Sequence, residues 1–314
     1  MPRVSIGLPV YNGENFLEDA IRSVLAQTFD DLELIVSDNA STDRSADIAR
    51  DIAAGDPRVR YFRNERNLGA APNYNRAWME STGGLFKWLS HDDRIMPAYV
   101  AATVAALDAM PDATLCNTVV DYIDENGTVF TTYDSGLDLA SGADPARRFA
   151  AMVLRSHACI DFFGMARREA MSGSLLHGSF HGADRAFLAQ MALRGRLLQL
   201  PEHLVQMREH KHRYTRNNAD AKARRLWHDS SAKRSAAMPT LYLYRQYLRL
   251  VQQERLTPDA RRRCLGVLAR WWVSNWNAAR VATDALSLVA PGIVGQAERL
   301  KTRLFGAAPG HFVR

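Results

Sequence analysis

The chain has only three cysteines in 314 residues, Cys116, Cys159 and Cys264, and no two of them form a CxxC. This spacing excludes a zinc ribbon and a disulfide framework, and it fits a reducing compartment. Long hydrophobic runs are lacking too. The longest late apolar stretch, Ala285 to Gly295, is broken by Pro291-Gly292 and falls short of the ~20 residues that a membrane-spanning helix requires. The N-terminus enters Val4–Val10 directly, without the charged start, apolar middle and small-residue cleavage site of a signal peptide, so export by that route is not expected. No internal repeat or low-complexity tract is visible.

What is present is an ordinary globular composition, 47% hydrophobic and 24% charged. At 314 residues it suits one large domain with an extension, or two domains. A net charge of +6 favours an anionic partner: a nucleotide sugar, a phospholipid surface or nucleic acid. No nucleic-acid motif occurs, and acidic loops in the first half would repel phosphates without a metal, so nucleic acid is not an expected partner.

The first third alternates strand and helix patterns. Val4–Val10, Leu32–Asp38, Val59–Asn64 and Leu85–Ser90 read as strands, and Phe16–Gln27, the segment from Ser41 through Ile52, Ala70–Ser81 and Pro97–Met110 read as helices. The β-α-β order predicts an α/β, doubly wound, mostly parallel sheet with ligands beyond the carboxyl ends of its strands. Polar clusters follow those ends: Tyr11-Asn12-Gly13-Glu14, Asp38-Asn39-Ala40-Ser41, Arg66-Asn67-Leu68-Gly69 and His91-Asp92-Asp93. Farther on, Leu115–Tyr122 and Thr128–Thr132 predict a hairpin beside the main sheet. From about Asn217 a helical, basic region carries two stripes, Leu241/Tyr244/Leu248/Val251 and Leu265/Leu268/Trp272/Trp276. A boundary is expected near Arg216, between a catalytic domain over 1–216, with its donor half about 1–110 and acceptor half about 111–216, and a helical region over 217–314.

Adjacent Asp92 and Asp93 at a strand end repel one another. A hard divalent cation, Mg²⁺ or Mn²⁺, bridging them to diphosphate oxygens would offset that repulsion, and a helix N-terminus would also accommodate them.

Pro9-Val10-Tyr11-Asn12, Leu25-Ala26-Gln27-Thr28, Ser37 through Asp43 and Asn67-Leu68-Gly69, in this order and spacing, resemble family 2 glycosyltransferases of the GT-A fold. The resemblance runs from Val4 to about Thr215. It implies an inverting enzyme that moves a sugar from a nucleoside-diphosphate donor, most commonly UDP, to a hydroxyl of a glycan or lipid-linked oligosaccharide. Pro9, Tyr11, Asn12, Glu14, Asp38, Asn67, Gly69 and Asp92 fall at positions expected to hold the nucleotide, with Asp38 on base or ribose. Asp92, Asp93 and His210 are the expected metal residues, for Mn²⁺ or Mg²⁺, and Asp184 matches the general base. An Asx turn or helix cap is the alternative for Asp38, and a helix cap for Asp184.

Arg208 is expected to steady the fold or the phosphates, 211–216 to form a lid, and Gly164 to give substrate close approach. Ser90 stands where the commonest family form is acidic, which keeps a catalytically inactive nucleotide-binding module with an assembly role as the alternative function. The C-terminal arginines and tryptophans suit peripheral membrane contact, packing on the catalytic half or a homo-oligomer. The expected location is the cytoplasm, at the inner membrane face where the protein meets lipid.

Overall fold

The computed structural model describes residues 1–211, 213 and 238–290. The boundary near Arg216 and most of the expected lid, His212 and 214–216, lie outside the described residues. The strands are β1 (Val4–Val10), β2 (Leu32–Asp38), β3 (Val59–Arg63), β4 (Leu85–Trp88), β5 (Arg94–Ile95), β6 (Ala113–Ile123), β7 (Val129–Tyr133), β8 (Met165–Arg167) and β9 (Arg196–Arg208). They form one sheet in the order β3-β2-β1-β4-β8-β6-β9-β5, with β7 paired to β6.

β1 and β2 are buried along their whole length, as strands covered on both faces should be. The β3-β2-β1-β4 portion is parallel, and β8 then joins β4 antiparallel, so the sheet as a whole is mixed. The hairpin of β6 and β7 forms, but β6 lies within the sheet between β8 and β9 and not beside it. Its eleven residues are nearly all buried, which only an interior position permits.

Helices cover both faces: α1 (Leu17–Leu25), α2 (Ser45–Gly55), α3 (Ala70–Met79), α4 (Tyr99–Ala109), α5 (Pro145–Leu154), α6 (Arg168–Met171) and α7 (Ala183–Arg194). Three more follow, α8 (Pro239–Gln253), α9 (Pro258–Trp271) and α10 (Asn277–Val289). α5 and α9 start alike: Asp144 and Thr257 cap them by accepting from Ala146 N and Ala260 N, and each has proline in its first turn.

One core cluster lies under α1 and α4, including Leu17, Ile21, Tyr99 and Leu107. The other joins Phe149 of α5 and Phe187 of α7 to Tyr247, Leu250 and Val251 of α8 and to Cys264, Leu268 and Trp271 of α9. The described C-terminal helices therefore share a core with α5 and α7. The second predicted stripe is displaced: Leu265 is exposed because the buried face of α9 runs through Ala260, Cys264, Val267, Leu268 and Trp271, and Trp276 is exposed because α9 ends at Trp271 and the helical spacing does not continue through the corner that follows. No helix among the described residues is long and apolar enough to cross a membrane.

Candidate active site

The loops after β1 and β2 are cross-linked. Asn12, in the left-handed region at φ 51, donates its N–H to Ser41 Oγ at 3.0 Å and accepts from Thr42 N at 2.8 Å through Oδ1. Gly13 N donates to Ser45 Oγ at 2.8 Å, and a Cβ at Gly13 would stand 2.3 Å from the ring of His91. Only glycine lets the first loop pass beneath the fourth. Glu14 N donates to Asp43 at 3.0 Å, while the Glu14 carboxylate accepts from Arg44 N at 3.0 Å. Tyr11 is 45% exposed beside buried Pro9, which leaves its ring presented to solvent at the strand end.

Asp38 is fully buried at the floor of this edge. Its carboxylate accepts from Ser41 N at 2.8 Å, Tyr61 Oη at 2.7 Å and Arg63 at 2.6 Å. The Ser41 bond closes a local loop three residues long, one residue longer than the Asx turn expected as the alternative for Asp38, and three of roughly four acceptor positions are occupied. Behind it an amide network holds the third loop. Asn39 Nδ2 donates to Asn67 Oδ1 at 2.9 Å, Leu68 N donates to Asn39 Oδ1 at 2.9 Å, and Gly69, at φ 91, turns the chain into α3.

Asp92 and Asp93 are buried just past β4, and β9 brings Arg208 and His210 to them from the other end of the chain. His210 Nε2 lies 3.0 Å from Asp92 Oδ2, and Arg208 N donates to Asp93 Oδ1 at 2.9 Å. Arg208 is 3% exposed and donates further to the Asp92, Asp124 and Glu125 carbonyls, so it braces the fold. Burial opposes ionisation of Asp92, but the His210 hydrogen bond and the charges of His91 and Arg213 outweigh it and hold this carboxyl well below the usual range. Burial and the Asp92 charge push Asp93 up. Below it, burial pulls the Lys87 ammonium down to about 7; Lys87, Ser90, Asp93, Asn117 and Phe163 line a small cavity.

Asp92 Oδ1 and His210 Nδ1 are buried without a hydrogen-bond partner. Orphaned buried acceptors of this kind are expensive unless something else fills them. Among the described residues no group of three or more His, Cys, Asp or Glu is arranged to hold a metal ion by itself. The unpartnered Asp92 Oδ1, beside His210, is the acceptor that a cation completed by ligand oxygens would take.

Asp184 sits in the first turn of α7, which starts after left-handed Gly182 at φ 84. Gly182, and not Asp184, holds the cap position. Asp184 Oδ1 accepts from Arg185 N at 2.8 Å, and the buried Cys159 thiol is pushed up by burial and then by the Asp184 charge beside it.

Two residues that the sequence did not single out connect the Asp92-Asp93 cluster to the surroundings of Asp184. Burial pushes the Tyr74 phenol up, as do the charges of Asp92 and Asp93, while a hydrogen bond with Ser90 opposes the shift. The Tyr74 ring packs 4.8 Å from His177, whose imidazole is lowered by burial against the opposing charge of Asp184. Asn75 clamps His177 through both its amide atoms at 3.0 Å. Gly164 departs from expectation: a Cβ there would meet Leu115 at 2.8 Å and the Cys116 carbonyl at 3.0 Å, so its space is taken by β6 and not by substrate.

Comparison with known proteins agrees with this architecture. The mannosyltransferase PcManGT from Pyrobaculum calidifontis, solved with GDP-Man and Mn²⁺, superposes with a TM-score of 0.54 at 18% identity, covering 97% of this chain and 83% of that one. TarS 1-349 of S. aureus, solved with UDP-GlcNAc, gives a TM-score of 0.58 at 15% identity, covering 86% and 73%. An uncharacterized glycosyltransferase of Rickettsia bellii is 38% identical over 131 residues, 40% of this chain and 18% of that one. The matches span a third or less of the first curated relatives. The family model "Glycosyl transferase family 2" matches residues 5–172, more than half of the sequence, and the chain belongs to that family.

Proposed function

We propose that this chain transfers a glycosyl group from a nucleoside-diphosphate sugar, with UDP as the nucleotide, to an acceptor hydroxyl of a glycan or lipid-linked oligosaccharide with inversion. The observation that carries the reading is the meeting of Asp92, Asp93 and His210 at the carboxyl end of β4, with Asp92 Oδ1 buried and unpartnered. The nucleotide lies over the loops of Tyr11 and Asp38, its base against the Tyr11 ring and its base or ribose hydrogen-bonded to Asp38. Asp92, Asp93 and His210 would hold Mn²⁺ or Mg²⁺ together with the diphosphate, and that ion supplies charge neutralisation for the leaving group. Asp184 takes the acceptor proton as the acceptor oxygen bonds to the anomeric carbon and the bond from that carbon to the diphosphate oxygen breaks. The donor half about 1–110 and the acceptor half about 111–216 divide these tasks.

We place the reaction in the cytoplasm, a reducing compartment in keeping with three free, buried cysteines. Calorimetric titration with UDP, GDP, CDP and dTDP, each with Mn²⁺, Mg²⁺ or chelator, tests the donor reading without an acceptor. Metal-dependent binding of one nucleotide at micromolar affinity is expected; no binding of any would contradict it.

A further inference from the structure

The corner between α9 and α10 turns apolar side chains outward. Val273 is 85% exposed and Trp276 82%. Both Asn275 and Trp276 are left-handed, at φ 48 and 59, a conformation that is a strained outlier for a side chain as bulky as tryptophan. The surrounding structure holds it there: Asn275 Nδ2 donates to the Leu154 carbonyl at 2.9 Å, Asn277 Nδ2 to that of Trp271 at 2.9 Å, and Ala278 N to that of Trp272 at 2.9 Å. Strain kept in this way calls for a use.

Charge around the corner has one sign. Arg270 precedes it and Arg280 follows it, both exposed, and no acidic residue lies between them. The corner is also anchored beside the acceptor side. From Leu154, which it grips, the chain runs through exposed Arg155 to His157, whose carbonyl accepts from Arg185 at 2.6 Å, and on to Cys159 beside Asp184.

We infer that Val273 and Trp276, flanked by Arg270 and Arg280, seat the acceptor edge of this protein on an anionic phospholipid surface. An amphipathic tryptophan with a neighbouring aliphatic side chain enters the headgroup boundary, and the arginines meet lipid phosphates. Docking is peripheral. The benefit to catalysis, a lipid-linked acceptor delivered beside Asp184, rests on the proposed function; the docking itself does not.

The test uses the full chain sedimented with vesicles of phosphatidylcholine alone or mixed equally with phosphatidylglycerol, at low and high salt. Wild type is expected to bind the mixed vesicles at low salt and not the neutral ones. The pairs Val273→Ser with Trp276→Asn, and Arg270→Gln with Arg280→Gln, are each expected to bind about tenfold more weakly. Asparagine tolerates the left-handed region, so Trp276→Asn should raise the melting temperature while binding falls, which a tryptophan kept for packing would not do. Equal binding by wild type and both pairs, absence of wild-type binding, or a lowered melting temperature for Trp276→Asn would overturn the inference. So would ultracentrifugation showing that Trp276→Asn dissolves a dimer, because the corner would then face a second copy. Asp184→Asn should keep vesicle binding; full turnover in that variant would remove Asp184 as base and leave the docking result standing.

Discussion

The two sides of the sheet's carboxyl edge are built differently. On the proposed donor side polar side chains hold neighbouring loops: Asn12 binds Thr42, Glu14 binds Arg44, Asn39 binds Asn67, and Asp38 gathers Ser41, Tyr61 and Arg63. On the proposed acceptor side Asp184 accepts from its own neighbour, and between the two sides rings pack on one another, Tyr74 on His177 and Phe162 stacked on Trp88 at 4.7 Å. One side is set by hydrogen bonds in fixed directions, which favours recognition of a defined donor. The other is set by packing, and packing distributes its information over distant parts of the chain.

If the sides are separable in this way, Asp184→Asn should produce the largest effect, a fall in kcat of roughly a thousandfold, with nucleotide affinity within twofold of wild type. Steady-state kinetics beside calorimetry decides this; a matching loss of nucleotide affinity would break the comparison. The next largest is an acid effect on the acceptor side. Burial, and then the Arg185 charge, push the His157 imidazole from 6.5 down to about 4, so the unfolded chain takes up this proton first. Its contribution is complete above pH 6.5 and is lost as pH falls toward 4. Urea unfolding should show about 2 kcal/mol of this loss by pH 5, and His157→Gln should abolish that share.

On the donor side, Asn73→Ala removes a buried amide that accepts from Ser37 Oγ at 2.8 Å and donates to the Ser37 carbonyl at 2.8 Å. A cost of about 2 kcal/mol in urea unfolding is expected. Asp93→Asn should weaken UDP binding about tenfold in Mn²⁺ and leave binding in chelator unchanged. Equal weakening under both conditions would mean that Asp93 serves the loop and not the cation.

The same contrast explains what could be read from the sequence. β1 to β4 and α1 to α4 were legible because continuous apolar strands such as Val4–Val10 alternate with helices carrying Leu17, Ala20, Ile21 and Val24 on one face, while the two-residue β5 has no pattern to find. The donor loops were legible because their polar residues directly follow strand ends. Asp184, Arg208 and His210 stood out only by resemblance, since nothing near residue 92 in the sequence announces that β9 returns to it. Tyr74 and His177 could not be found at all by periodicity. A tyrosine on a helix looks the same whether its ring meets core or the histidine about a hundred residues later. Gly164 shows the reverse error: a glycine near a site suggested room for substrate, while its own sheet fills the space.

Amide hydrogen exchange, with and without UDP and Mn²⁺, tests the separation of the two sides most directly. Slower exchange is expected at 11–14, 38–43 and 90–93, with unchanged exchange at 178–186. No slowing in the first three segments, or equal slowing in all four, would contradict it.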